Sequence, residues 1–191
     1  MNEGCIVNSS ATNHLPPQSY LKECFAYDLV TGFLAWKVRP RSHFIRKQVC
    51  NRWNAKYAGK AAGSIHSGGY RQVSLYGNNY FAHRIVWKIM LADDADGEID
   101  HINHCRTDNR WINLRKVSSG VNNKNISLRG NNKSGVTGVS WCRKNGNWQT
   151  HVGGEPQGYY TNLFDAECAV AKARAAKGYH PNHGKAKCES T

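Results

Sequence analysis

The chain has 191 residues, with 26 Lys and Arg against 13 Asp and Glu, a formal net charge of +13 and 40% hydrophobic residues. This length suits one medium domain or two small ones with limited cores, and the basic excess recurs in residues 1–98, 99–130 and 131–191, as a long polyanion would require. There is no apolar run near the ~20 residues of a bilayer span, no CxxC among seven cysteines, and no charged-then-apolar leader pattern. A membrane protein, a disulfide framework and a four-cysteine zinc site are therefore set aside, and free thiols in a reducing compartment are expected.

Residues 1–18 are polar, end in Pro16-Pro17 and read as a flexible tail. YLKECFAYD predicts a short helix, and LVTGFLAWKV a hairpin about Thr31-Gly32. Residues 39–63 are basic and weakly periodic. They read as a long loop, with Arg39 to Lys60 set either against the backbone of a polyanion or as a solvated surface. YRQVSL and NYFAH are strand-like and joined at Gly77-Asn78, and HRIVWKIMLADD predicts a helix burying Ile85, Val86 and Ile89.

The next stretch, EIDHINHCRTDNRWINLRKVSSGVNNKN, carries the chemistry. Asp100 offers the hard oxygen that Mg²⁺ prefers, and His101, with an ordinary pKa of ~6.5, can take a proton from water. Neighbours on a regular strand face opposite ways, so the two share a site only where the strand ends or bulges. The polar NHCRTDN fits such an exit. WINLRKV then reads as the returning strand, holding Asn113. Ser118 or Ser119 is expected to cap a short helix carrying Asn122. The bland reading of Asp100-His101 is a capped loop with a structural salt bridge.

SLRGNNKSG reads as a hinge, with the linker at 128–134. GVTGVSWC, NWQTHVG and QGYYTNL predict three strands, and FDAECAVAKARAAKGYH a helix capped by Asp165. Its alanines 169, 173 and 176 suit close packing on a sheet. Alternation turns Val139, Trp141, Trp148, Thr150 and Val152 inward and Ser140, Gln149 and His151 outward. Arg143 and Lys144 sit at a turn, suited to phosphate.

Ile99-Asp100-His101, Asn113-Leu114-Arg115 and Asn122-Asn123, preceded by AHRIVW at 82–87, together resemble the HNH endonucleases of the phage and intron-encoded homing type. The resemblance implies a ββα-metal unit. In it Asp100 and Asn122 bind the metal, with Asn123 as the competing ligand. His101 is the general base, and Asn113 fixes its orientation. Where many such proteins carry a second histidine ligand, this chain has asparagine, which favours Mg²⁺, with Mn²⁺ as substitute, over zinc. His104 and Cys105 receive no role.

The C-terminal phrases resemble the APETALA2/ethylene-response-factor type DNA-binding domain, whose three-stranded sheet can lie in the major groove. Fewer strand arginines than in the plant domains imply positioning more than base readout.

The expected fold class is α+β: a mixed N-terminal region leading into the ββα-metal motif, then a three-stranded antiparallel sheet on one helix. The expected boundaries are a tail at 1–18, a nuclease domain at 19–127 with its core at about 98–126, a linker at 128–134, a DNA-binding domain at 135–182 and a tail at 183–191. The expected function is metal-dependent hydrolysis of double-stranded DNA, nicking one strand per site, by a monomer or weak dimer. The resemblance places it in a phage-encoded, homing-like role in the host cytoplasm. Arg84, Arg106, Arg115, Ser140, Arg143, Lys144, Gln149 and His151 are the expected DNA contacts, with a packed or solvated helix face as the alternative for Arg84. A non-catalytic DNA-binding regulator with the same modules is the competing function, and an RNA-binding protein is a more distant third.

Overall fold

The computed structural model describes residues 14–186. The described residues form a mixed α+β protein with several small sheets and five α-helices. The chain forms two compact units. One runs to Asp96 and includes Arg106–Ile112; the other comprises Gly97–Cys105 and everything from Asn113. Of the stretches expected as tails, residues 1–13 and 187–191 lie outside the described residues, whereas Leu15 and His183 are buried. Among the described residues no helix is long and apolar enough to cross a membrane.

In the first unit, helix α1 (Gln18–Cys24) leads directly into strand β1 (Phe25–Tyr27), which pairs antiparallel with β2 (Leu34–Trp36). The hairpin predicted from LVTGFLAWKV is thus displaced: FAY pairs with LAW, and the turn spans 28–33. Gly32 is required there. Its φ is +73°, and a Cβ would lie 2.4 Å from the Arg110 backbone nitrogen.

Residues 39–63 are not one long loop, because helix α2 (Lys47–Tyr57) fills their middle. Its inward residues are Cys50, Trp53, Asn54 and Tyr57, the helical spacing i, i+3, i+4, i+7. Only one is a small apolar residue, which is why aliphatic periodicity missed the helix. Asn54 clamps the Arg39 backbone, accepting from its N–H at 2.9 Å and donating to its carbonyl at 3.0 Å. Arg39 is itself buried, its guanidinium 4.8 Å from the ring centroids of both Phe44 and Trp53. Part of the basic character expected at the DNA surface is therefore spent inside this unit.

Strands β3 (Ser64–Ile65), β4 (Arg71–Leu75) and β5 (Asn78–Phe81) form a three-stranded antiparallel sheet. Its tight hairpin turns at Tyr76-Gly77, both with positive φ, one residue earlier than read from the sequence. Helix α3 (Ala82–Leu91) follows, burying Ile85, Val86 and Ile89 as expected and also Trp87 and Lys88. The buried Lys88 ammonium is paired with Asp94 at 2.6 Å.

In the second unit, β6 (Glu98–His101) pairs antiparallel with β7 (Leu114–Val117), and α4 (Ser119–Asn123) follows. Asn113 precedes the returning strand instead of lying in it, in a 3₁₀ turn over Trp111–Asn113. Ser118 caps α4, accepting from the Val121 N–H, while Ser119 turns to Glu98.

Strands β8 (Val139–Cys142), β9 (Asn147–Val152) and β10 (Glu155–Tyr160) form an antiparallel sheet in the order β10-β9-β8, with helix α5 (Leu163–Ala176) packed on it. Val139, Val152, Ala166 and Val170 make its core. The helix cap is Asn162, which accepts from the Asp165 N–H at 2.8 Å; Asp165 is the third residue in and takes the Asn162 amide in return at 2.6 Å. That start turns Ala166, Val170 and Ala173 to the sheet: Ala173 packs as expected, whereas Ala169 is half-buried without joining that core and Ala176 is exposed. Helix α5 covers β9 and β10 more than the edge strand β8. Trp141 therefore stays 46% exposed, held edge-on against its cross-strand partner Trp148 at 5.0 Å. Cys24, Cys50, Cys142 and Cys168 are free thiols, but Cys105 is disulfide-bonded, contrary to the expectation of free thiols throughout.

Candidate active site

Asp100 and His101 close strand β6, and both are buried. The chain leaves the sheet immediately after them: the Ile102 N–H donates to the Asn113 carbonyl at 2.9 Å, and the His104 N–H returns to the His101 carbonyl at 2.9 Å. The Asn113 carboxamide oxygen accepts from the Asn103 N–H at 3.0 Å. Asn113 thus grips the turn after His101 through its main chain and its side chain, a use suited to a buried amide.

Asp100 is held on one oxygen. Its Oδ2 accepts from Arg115 Nε at 2.9 Å, Arg115 Nη2 at 2.7 Å and Asn125 Nδ2 at 2.9 Å. Its Oδ1 takes no hydrogen bond from a described residue. Strand alternation puts Glu98 on the same face as Asp100. The Glu98 carboxylate accepts from Ser119 Oγ at 2.7 Å and Asn122 Nδ2 at 2.5 Å. These two donors, Ser119 first, hold the Glu98 carboxyl below its usual pKa. Asn122 therefore has its nitrogen anchored, and its oxygen is left without a partner among the described residues.

This donor set suits a hard divalent ion: one carboxylate oxygen and one carboxamide oxygen, each on a side chain whose other arm is tied down. Among the described residues no group of three or more His, Cys, Asp or Glu side chains could hold a metal.

Three participants escaped sequence reasoning. Glu98 had a legible signal, being two residues before Asp100 on a strand. Asn125 had a partial one, lying three residues beyond Asn122; it links Asp100 to His104, whose Nε2 donates to Asn125 Oδ1 at 3.0 Å. The third is the segment after α5. Asn182 Nδ2 donates to the Ile102 carbonyl at 2.9 Å, and nothing in the sequence announces a partner 80 residues away. Asn123 is exposed.

The expected DNA contacts fall into two groups. Three arginines are engaged within the protein. Arg84 donates to the Asp94 and Ala95 carbonyls at 3.0 Å each. Arg106 donates to the Gly68 carbonyl at 2.6 Å and lies over the Tyr70 ring. Arg115 holds Asp100. The remainder lie on the C-terminal sheet. Ser140 pairs with Gln149, which pairs with Tyr159, so these three share its outer face; Ser140 and Tyr159 are exposed. His151 is exposed two residues along from Gln149, and Arg143 and Lys144 are exposed at the β8–β9 turn. Tyr159, 63% exposed on the edge strand β10 of this face, had not been singled out from the sequence.

No curated protein and no solved structure matches the chain. A family model described as HNH endonuclease matches residues 80–124, from the end of β5 through the Asp100-His101 hairpin to the close of α4. Residues 80–124 are therefore an HNH endonuclease domain.

Proposed function

We propose that the protein is a metal-dependent endonuclease that hydrolyses phosphodiester bonds of double-stranded DNA, one strand per site. The observation that carries this reading is the coincidence of the HNH endonuclease match with a hairpin end where a buried Asp-His pair is braced by Asn113. His101 takes the proton of the attacking water as its neutral imidazole. Asn113 keeps that imidazole in place by fixing the turn behind it. Asp100 and Asn122 present their open oxygens to Mg²⁺ or Mn²⁺. When bound, that ion supplies Lewis acidity at the phosphate and offsets charge on the departing oxygen. Arg115 and Asn125 hold the Asp100 carboxylate by one oxygen and leave the other open. With one base and one pair of ligands, a double-strand break needs two protomers or two events.

The module β8–β10 with α5 serves as the DNA grip, in the manner of the APETALA2/ethylene-response-factor type domain that it resembles in order of elements. Its outer face of Ser140, Gln149, His151 and Tyr159 meets the duplex, with Arg143 and Lys144 on phosphate. The net charge of +13 supports a nucleic-acid partner. A homing-like role in a phage genome follows from the resemblance alone.

The test is nicking of supercoiled plasmid with Mg²⁺ or Mn²⁺, with His101→Ala as control. Wild type should relax the plasmid, and the variant should do so slower by ~10²-fold or more. Intact plasmid in both, across several DNA sequences, with DNA binding retained, would favour the non-catalytic regulator.

A further inference from the structure

The chain after α5 returns alongside residues 124–128, just beyond α4, is bonded to them along its length, and touches the turn of the nuclease hairpin at one point. Lys124 Nζ donates to the Lys177 carbonyl at 2.8 Å, and the His180 N–H to the Lys124 carbonyl at 3.0 Å. The Gly184 N–H donates to the Ile126 carbonyl, and the Leu128 N–H to the Lys185 carbonyl, both at 2.8 Å. Between these anchors Asn182 reaches the Ile102 carbonyl at 2.9 Å, on the residue directly after His101. We propose that residues 177–185 form a strap that completes the nuclease site, and that Asn182 is a positioning residue for His101.

The amide chemistry explains why Asn182 matters. Asn125 Nδ2 donates to Asp100 at 2.9 Å and reaches Ile102 at only 3.3 Å, while its oxygen is taken by His104. Asn125 alone therefore holds the Ile102 carbonyl weakly and divides its nitrogen between two acceptors. Asn182 supplies the shorter bond, so that Asn125 stays committed to Asp100. The orientation of Asn182 is itself set, because Lys185 Nζ donates to its oxygen at 3.1 Å. Its backbone N–H donates to His180 Nδ1 at 3.1 Å, which leaves the proton of a neutral His180 ring on Nε2. Burial, and then the charge of Arg115, lower the His180 pKa, a sign of how closely the strap passes the Asp100–Arg115 pair.

This inference rests on the nuclease reading for its function but not for its detection. The experiment uses the full chain as wild type, Asn182→Ala and Asn182→Asp, the last being isosteric but unable to donate. Backbone amide exchange is followed without metal. Nicking rates, and DNA affinity in EDTA, are measured alongside. Both variants are expected to speed exchange over residues 99–104, with β8–β10 unchanged. Both should lower kcat by ~10–100-fold, with KM and DNA affinity within about twofold. Unchanged exchange at 99–104 in Asn182→Asp would overturn the strap. So would wild-type kcat, or losses of kcat, affinity and melting temperature in parallel, which would mark a general scaffold role. If wild type itself does not cut, faster exchange at 99–104 still upholds the strap while the nuclease reading falls.

Discussion

The Asn122 carboxamide donates to Glu98 across 2.5 Å, and Ser119 occupies the other oxygen of the same carboxylate. An acceptor-only group thus dictates which end of the Asn122 amide faces β6. Glutamine at 98 could accept or donate and would no longer set that choice. Glu98→Gln is expected to raise the Mg²⁺ concentration for half-maximal nicking by ~10-fold while leaving DNA affinity in EDTA unchanged. A metal titration superimposable on wild type would remove Glu98 from the site.

Arg115 distinguishes two roles by magnitude. A phosphate contact would contribute ~1 unit to the salt slope of DNA binding. The buried partner of Asp100 would instead leave an uncompensated carboxylate when removed, at a cost of about 3 kcal/mol. The geometry favours the second: Arg115→Ala should lower the melting temperature by several degrees and abolish nicking, with the salt slope unchanged. A slope smaller by one unit with an unchanged melting temperature would return Arg115 to the DNA surface.

Arg143 and Lys144 stand at an exposed turn, and no ion pair among the described residues competes for them. Replacing both with Ala should weaken binding alike on all sequences and flatten the salt slope by ~1–2 units. A loss confined to one DNA sequence would instead indicate base readout.

His183 gives the strap a pH dependence. Burial, and then the neighbouring Arg174, push its pKa down from 6.5 to about 4. A depressed histidine pKa disfavours the protonated folded state. Its contribution is fully present above pH 6.5 and declines as pH falls towards about 4, reaching a loss on the order of 3 kcal/mol. His183→Gln should flatten the fall in melting temperature between pH 6.5 and 4, as followed by thermal unfolding. An unchanged fall would assign it to other groups.

What could be read from the sequence follows the distance over which each signal acts. The strands of the C-terminal sheet and helix α3 announce themselves by local alternation and helical spacing. Asp100, His101 and Asn113 stand out as candidates because the hairpin brings near neighbours in sequence together. Helix α2 was hidden because its buried face is aromatic and amide instead of aliphatic. Trp141 was misjudged because alternation tells which face a side chain takes, not whether a helix extends far enough to cover it. Asn182 lay beyond reach because its partner is set by the return of the chain after α5, a tertiary event without local periodicity.

The bonds running from 124–128 to 177–185 also bear on how the protein can be taken apart. A chimaera cut in the Gly/Asn-rich stretch at 128–134, the natural place to splice by eye, would strip the hairpin of its Asn182 donor and give it a foreign terminus. A transplantable cassette has to carry the hairpin and residues 177–185 together, as one heritable block.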